Sequence, residues 1–114
     1  MHELSICRGI LSTVLDHHEK SQTTSPIKSI QLDIGQLTRI DIPSLRFNFD
    51  VVARHTAAEN AMLEINHIQA KAECEVCHTT FYLEHYYDPC PDCQQQQKII
   101  LQGEEMTITS MEIQ

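Results

Sequence analysis

Aromatic residues and positive charge are both scarce in this sequence. Its 114 residues include no tryptophan, three phenylalanines and three tyrosines, so a core built from it is thin. At 41% hydrophobic content the chain is globular, and one compact unit, or a small core with an added staple, is what this length supports. Lysine and arginine number 8 against 16 aspartates and glutamates, a net charge of −8. Between residues 70 and 103 only Lys71 and Lys98 are basic, against Glu73, Glu75, Glu84, Asp88 and Asp92. Such a surface repels phosphate, which excludes a nucleic-acid partner. No apolar run approaches the roughly 18 residues of a membrane-spanning helix, and nothing at the N-terminus resembles a secretory signal. The expectation is a cytoplasmic chain with no membrane partner, whose thiols stay reduced.

What is present centres on residues 74–93. Cys74-Glu-Val-Cys77 and Cys90-Pro-Asp-Cys93 are two Cys-x-x-Cys pairs with twelve residues between them. Each pair can bend into a knuckle that aims both sulfurs at one ion, and four thiolates at about 2.3 Å in a tetrahedron suit structural zinc. The linker is shorter than the usual spacing of roughly 15–20 residues but still allows a hairpin. A closed four-sulfur shell leaves no position for water or substrate. Two disulfides would need an oxidising compartment. Cys74-Glu-Val-Cys77-His78 also spells the haem-attachment pattern, but that chemistry needs export and leaves Cys90 and Cys93 unexplained. His78 is then an ordinary residue after a knuckle.

Around this module the periodicities alternate. Residues 4–19 place Leu4, Cys7, Leu11, Val14 and Leu15 at helical spacing, with Ile6 and Ile10 widening the stripe. Cys7 belongs to that buried face, and Asp16-His17-His18-Glu19 reads as a solvated helix end. Residues 27–35 alternate as a strand. Asp41 and Pro43 open a second helix over 41–54, with Leu45, Phe49, Val52 and Ala53 as its apolar face. Met62–Ala72 reads as one strand, bulged near His67, and residues 99–101 and 106–113 supply further strands. The expected fold is α+β: two helices packed on a small, mainly antiparallel three-stranded sheet, with an inserted β-rich four-Cys zinc-knuckle module. Residues 1–72 and 101–114 would form the α/β domain and residues 73–100 the zinc module.

The opening Met1-His2-Glu3 is the second site of interest. A free α-amine, the His2 amide nitrogen and the His2 imidazole can chelate one cation through fused five- and six-membered rings, with the Glu3 carboxylate nearby. Nitrogen-rich tetragonal donor sets favour Ni(II) or Cu(II).

Met1-His2-Glu3-Leu4-Ser5, Ile34-Gly35-x-Leu37, Leu45-Arg46-Phe47-x-Phe49, Ala58-Glu59 and the two cysteine pairs together resemble the HypA/HybF family, the nickel metallochaperones of nickel-iron hydrogenase maturation. The resemblance covers the whole chain. It implies nickel bound through His2 and Glu3 with the Met1 amine, and zinc bound by Cys74, Cys77, Cys90 and Cys93. It also implies a carrier rather than an enzyme, passing Ni(II) to the hydrogenase large subunit with a GTPase partner, and it allows a homodimer. His78 and Gln94 follow the knuckles where glycine is common in the family, which predicts backbone strain at both. Two rivals remain: an acidic zinc-ribbon adaptor without nickel transfer, and a thiol oxidoreductase using one Cys-x-x-Cys. The latter predicts a lone pair on a βαβ unit rather than two matched pairs.

Overall fold

The computed structural model describes residues 2–114, and for His2 the backbone alone. The elements are α1 (His2–Lys20), β1 (Ile27–Gly35), a short 3-10 turn (Gln36–Thr38), α2 (Ile42–Val52), β2 (Met62–Ile68), β3 (Lys71–Cys74), β4 (Thr80–Tyr82), β5 (Lys98–Gln102) and β6 (Met106–Ile113). They form two three-stranded sheets, ordered β2-β1-β6 and β4-β3-β5. Two helices with small, antiparallel-rich sheets is the expected class.

The chain divides into two compact units: Met1–Leu32 with Ile40–Ile65 and Ile108–Gln114, and Asp33–Arg39 with Asn66–Thr107. In the first, α1 packs on α2. α1 buries Cys7, Ile10 and Val14, three positions on one helical face, while Leu11 and Leu15 are half-buried. Ile10 is thus central to the stripe rather than at its margin. α2 starts at Asp41 with Pro43 in its first turn, as read, although the Asp41 side chain makes no capping hydrogen bond. Its buried face is Leu45 and Phe49, continued by Ala53. β1 supplies Ile27, Ile30 and Leu32 to this core.

The strand directions follow from their ties. Gln31 donates to Glu64 at 2.8 Å and Asn66 to Asp33 at 3.1 Å, with the same separation of 33 residues, so β1 and β2 run parallel. α2 is the crossover that a parallel pair requires. The Gly35 amide donates to the Glu105 carbonyl and the Gln114 amide to the Pro26 carbonyl, each at 3.0 Å, so β6 runs antiparallel to β1.

In the second unit β3 pairs antiparallel with both β4 and β5. Its core is Leu37, Ala70, Ala72, Cys74, Phe81, Leu83 and Cys90, with Cys93 and Ile100 packed against it. The expected single strand Met62–Ala72 is two strands in different sheets, β2 and β3, and the slip near His67 marks a break rather than a bulge. The break has a physical cause. Ala70 is fully buried, its amide donates to the Gln36 side chain at 3.0 Å, and its carbonyl accepts the Leu83 amide at 3.2 Å. Those partners pull the chain out of one ladder and into another. The boundaries drawn from sequence, 72/73 and 100/101, accordingly fall inside β3 and β5.

Candidate metal centre

Two short turns present the four sulfurs, and they are built alike. In the first, the His78 amide donates to the Cys74 carbonyl at 3.0 Å and the Cys74 amide to the Thr79 carbonyl at 2.9 Å. In the second, the Gln94 amide donates to the Cys90 carbonyl at 2.8 Å and the Cys90 amide to the Gln95 carbonyl at 3.0 Å. Closing such a turn takes a left-handed residue directly after the second cysteine. His78 and Gln94 occupy those places, both at φ 63°, so the strain predicted at these two residues is present in the backbone. The Cys74 sulfur accepts the amides of Val76 at 3.4 Å and Cys77 at 3.5 Å. These bonds orient it inward and favour its thiolate.

The surroundings hold the turns in register. β3 delivers Cys74 at its last residue, and the Glu75 amide extends the ladder to the Gln97 carbonyl at 2.9 Å. Thr79 donates to Asp92 at 2.9 Å and so ties one knuckle to the other. Before Cys90, the Asp88 carboxylate accepts the Glu84 amide at 2.9 Å and the His85 amide at 3.2 Å, which keeps its pKa below the usual carboxylate value. Neither Thr79 nor Asp92 stood out in the sequence. A Thr-Asp pair thirteen residues apart carries no spacing signal, and only the hairpin brings it together.

All four sulfurs lie within 4.8 Å of one another, with Cys74–Cys93 at 3.5 Å and Cys77–Cys90 at 3.6 Å. An ion with about 2.3 Å bonds to four tetrahedral sulfurs sets edges of about 3.8 Å, so this set fits one metal ion. The spacings are far beyond the roughly 2.05 Å of a disulfide, and all five cysteines are free. Cys74 and Cys90 are buried and Cys77 is exposed. The Cys77 sulfur lies 3.2 Å from the Thr79 hydroxyl, and contact with Thr79, its side chain first and then its backbone amide, brings the Cys77 pKa down to about 6. Cys93 moves the other way: the Gln95 amide favours its thiolate, but burial and the neighbouring sulfurs push it up to about 12. Negative charge therefore gathers on one side of the cluster, and a bound cation must expel the proton held at Cys93. With all four sulfurs engaged, a tetrahedral ion has no open position.

The other sequence candidates are dispersed. The Met1 amine and the His2 side chain lie outside the described residues. Glu3 is half-buried in the first turn of α1, close enough to Cys7 to add to the effect of burial, which holds that thiol up at about 11. Cys7 donates its S–H to the Leu45 carbonyl at 3.2 Å, which makes it a core residue and not a ligand. His18 bonds the Ser25 carbonyl at 2.7 Å and closes the loop after α1. Among the described residues, the four sulfurs are the one set of three or more His, Cys, Asp or Glu ligands that converges.

Comparison with known proteins decides the family. The sequence pattern described as "Hydrogenase/urease nickel incorporation, metallochaperone, hypA" matches residues 1–113. The chain belongs to the HypA family. The "Hydrogenase maturation factor HypA" of Acidithiobacillus ferrooxidans (strain ATCC 53993 / BNL-5-31) is 38% identical over 114 residues, covering 100% of both chains. The protein of the same name from Azotobacter vinelandii is 34% identical over 114 residues, again covering 100% of both. Among solved structures, a HypA protein in solution superposes with a TM-score of 0.70 at 25% identity, covering 100% of this chain and 97% of that one. The nickel metallochaperone HypA of Helicobacter pylori shares the fold, with a TM-score of 0.67 at 24% identity over 97% and 96% of the two chains. The four-thiol cluster is a set of ligands able to hold one metal ion in a HypA-family chain, and no helix among the described residues is long and apolar enough to cross a membrane.

Proposed function

We propose that this chain is a nickel carrier and not an enzyme. In this reading it takes up Ni(II) at its N-terminus and delivers it for insertion into nickel-iron hydrogenase, with a GTPase and the hydrogenase large subunit as partners in the cytoplasm. The observation that carries it is the reach of the family match: residues 1–113 include the Met1-His2-Glu3 opening as well as the thiol cluster. Nickel would sit on the Met1 amine, the His2 amide nitrogen and the His2 imidazole, with Glu3 as a nearby carboxylate. Helix geometry supports this donor set. The first four amides of a helix have no intrahelical acceptor, so α1, which begins at His2, does not consume the His2 nitrogen. The positive end of the helix opposes a cation there. A deprotonated amide and the Glu3 carboxylate supply the opposing negative charge.

Cys74, Cys77, Cys90 and Cys93 would hold Zn(II), which suits four soft thiolates. Bound zinc supplies cross-linking of the two knuckles and no reaction chemistry, because its shell is closed. The nickel site is the opposite. It has few side chains on a chain end, so a partner's ligands can approach and take the ion. Amide and imidazole ligation both release protons, so nickel affinity falls as pH drops.

Nickel titration of four zinc-loaded proteins tests this reading: unmodified, N-terminally extended, His2→Ala and Glu3→Ala. The unmodified chain should bind one nickel. Extension and His2→Ala should both weaken binding severely, Glu3→Ala should weaken it less, and zinc content should stay constant throughout. Equal affinity of the extended and unmodified chains would remove the amine from the site and move attention to His17, His18 and His67.

A further inference from the structure

The sheet β4-β3-β5 has two faces, and one of them enters the core. Ala72 pairs with Phe81 and Ile100, and all three pack toward Leu37 and Leu83. Their neighbours along each strand point the other way. Lys71 pairs with Tyr82 and Gln102, and Glu73 pairs with Thr80 and Ile99. The register shifts between Lys71 and Ala72, which leaves Leu101 as an extra residue on β5. A bulge of this kind re-aims a side chain, and here Leu101 turns out to solvent. Tyr82, Ile99 and Leu101 are 60%, 52% and 50% exposed on a face about 10 Å wide, two strand spacings.

Exposed apolar groups scattered singly need no explanation, but three flanking one strand form a patch. All three tyrosines of the chain, Tyr82, Tyr86 and Tyr87, are exposed in this unit. Tyrosine is enriched at the centres of protein interfaces.

Charge selects the occupant. Residues 33–39 and 66–107 hold eight aspartates and glutamates against Arg39, Lys71 and Lys98. Lys98 is engaged by the carbonyls of Tyr86 at 2.7 Å and Gln96 at 3.0 Å, and the Lys71 ammonium lies over the Tyr82 ring, 5.7 Å from its centroid. Glu73 lies on the outer side of the central strand, and Glu75, exposed, follows that strand in the first knuckle turn. With eight acids against three bases this unit carries a net charge of −5, so a second copy brings like net charge together, and nucleic acid or an anionic bilayer is repelled. A protein that surrounds an apolar centre with arginine or lysine is complementary.

We propose that this face is a docking surface for such a basic protein partner, one that the chain serves in metal delivery. The choice of probe rests on the metallochaperone reading. The experiment measures binding of the full-length, metal-loaded chain to purified, nickel-free hydrogenase precursor, at low and at moderate salt. Ile99→Ser/Leu101→Ser should weaken binding about tenfold or more. Glu73→Lys should weaken it severalfold and flatten its salt dependence, while Phe47→Ser, exposed on α2, should change it less than twofold. If the double variant loses its metal, Glu73→Lys decides. Failure of the unmodified chain to bind the precursor, or binding by the face variants equal to the unmodified chain, overturns the proposal. Nickel titration of the same samples separates the two ideas. A chain that docks through this face yet takes no nickel contradicts the carrier reading and leaves the docking face standing.

Discussion

The two units of this small protein solve the same problem with different materials. The first fills its interior with large side chains: Phe49, Ile10, Ile27, Ile30, Leu32, Leu45 and Val14 are all essentially inaccessible. The second has Ile34, Leu37, Phe81 and Leu83 as its large buried groups, and the rest of the cluster around Leu37 is two alanines and two cysteines. At about 25 cal/mol per Å² of apolar surface, alanine and cysteine side chains return too little to offset the ordering of some fifty residues of loop and short strand. A metal ion bonded to the four sulfurs would supply what the core lacks. Composition thus divides the labour: one unit is held by packing and the other by coordination.

Removing the metal is the largest way to break this contrast. Structural zinc sites of this class contribute on the order of 10 kcal/mol or more of folding free energy. Chelation, or Cys90→Ala, should therefore collapse the dispersed amide resonances of residues 66–107 and leave those of 1–32 and 40–65 near their original positions. Acid should do the same. Cys77 is lowered from 9.0 to about 6. Its thiolate contributes fully above pH 9, less on the way down, and nothing below about 6. Cys93, pushed up to about 12, loses its contribution only at pH values above neutrality. Metal content at pH 7 should be one ion per chain and should fall as pH drops, because protons compete with the ion for the thiolates, read by a chromophoric chelator. Full metal content in Cys90→Ala would contradict the coordination account. The mirror experiment is Phe49→Ala, which should cost about 3–5 kcal/mol through the cavity it leaves in the first unit. Its melting temperature should fall while metal content at 25 °C stays at one per chain.

How much of this could be read beforehand depended on how local each cause is. The thiol cluster was legible because a Cys-x-x-Cys turn is made of neighbouring residues, while the strain at His78 and Gln94 was implied by the family resemblance, in which glycine is common at those places. Both helices were legible from spacing, down to Phe49 and Leu45. The split of Met62–Ala72 into two strands was not, because the slip in alternation near His67 reads equally well as a bulge while the cause of the break is distant. Gln36 and Leu83 capture the two backbone groups of Ala70, and no pattern within the strand announces them. Leu37 was hidden for a related reason: a lone leucine in a short 3-10 turn has no period, yet it enters the second core.

The meeting of Gly35, Gly103 and Ala70 sharpens the comparison at intermediate scale. A Cβ at Gly35 would run into the carbonyl of Gly103 and lie 2.8 Å from its Cα, and a Cβ at Gly103 would lie 2.6 Å from the Cα of Ala70. Gly103 also has φ of 101°. The crowding is backbone against backbone, so no side chain can yield. Gly35→Ala should cost about 2–3 kcal/mol, an overpacking penalty, and should separate the Gly103 carbonyl from the Leu37 amide that it now accepts at 2.8 Å. The expected signature is loss of hydrogen-exchange protection at Leu37. Retention of protection with unchanged stability would show that the approach is looser than it looks.

The smallest effect runs in the stabilising direction. His78 and Gln94 hold left-handed backbone that an L side chain adopts at a cost of roughly 1–2 kcal/mol, and glycine adopts it freely. Glycine gives back part of this through the greater entropy of its unfolded chain, so the net gain should be about 0.5–1 kcal/mol per site. The two sites differ in what else is lost. His78→Gly removes a 3.4 Å contact with Glu73, but both side chains are exposed and such a pair contributes little. Gln94→Gly removes a long 3.3 Å bond from the side-chain amide to the Pro91 carbonyl and is the cleaner test. Because both residues belong to the unit that carries the thiol cluster, the gain should appear as slower metal loss to a chelator at constant stoichiometry, with no change in the unfolding of the first unit. The double variant should be additive, since each turn closes on its own cysteine carbonyl. If neither glycine slows metal loss, the knuckles are held so firmly by the ion that backbone strain there does not limit release. Coordination alone would then set the stability of the second unit.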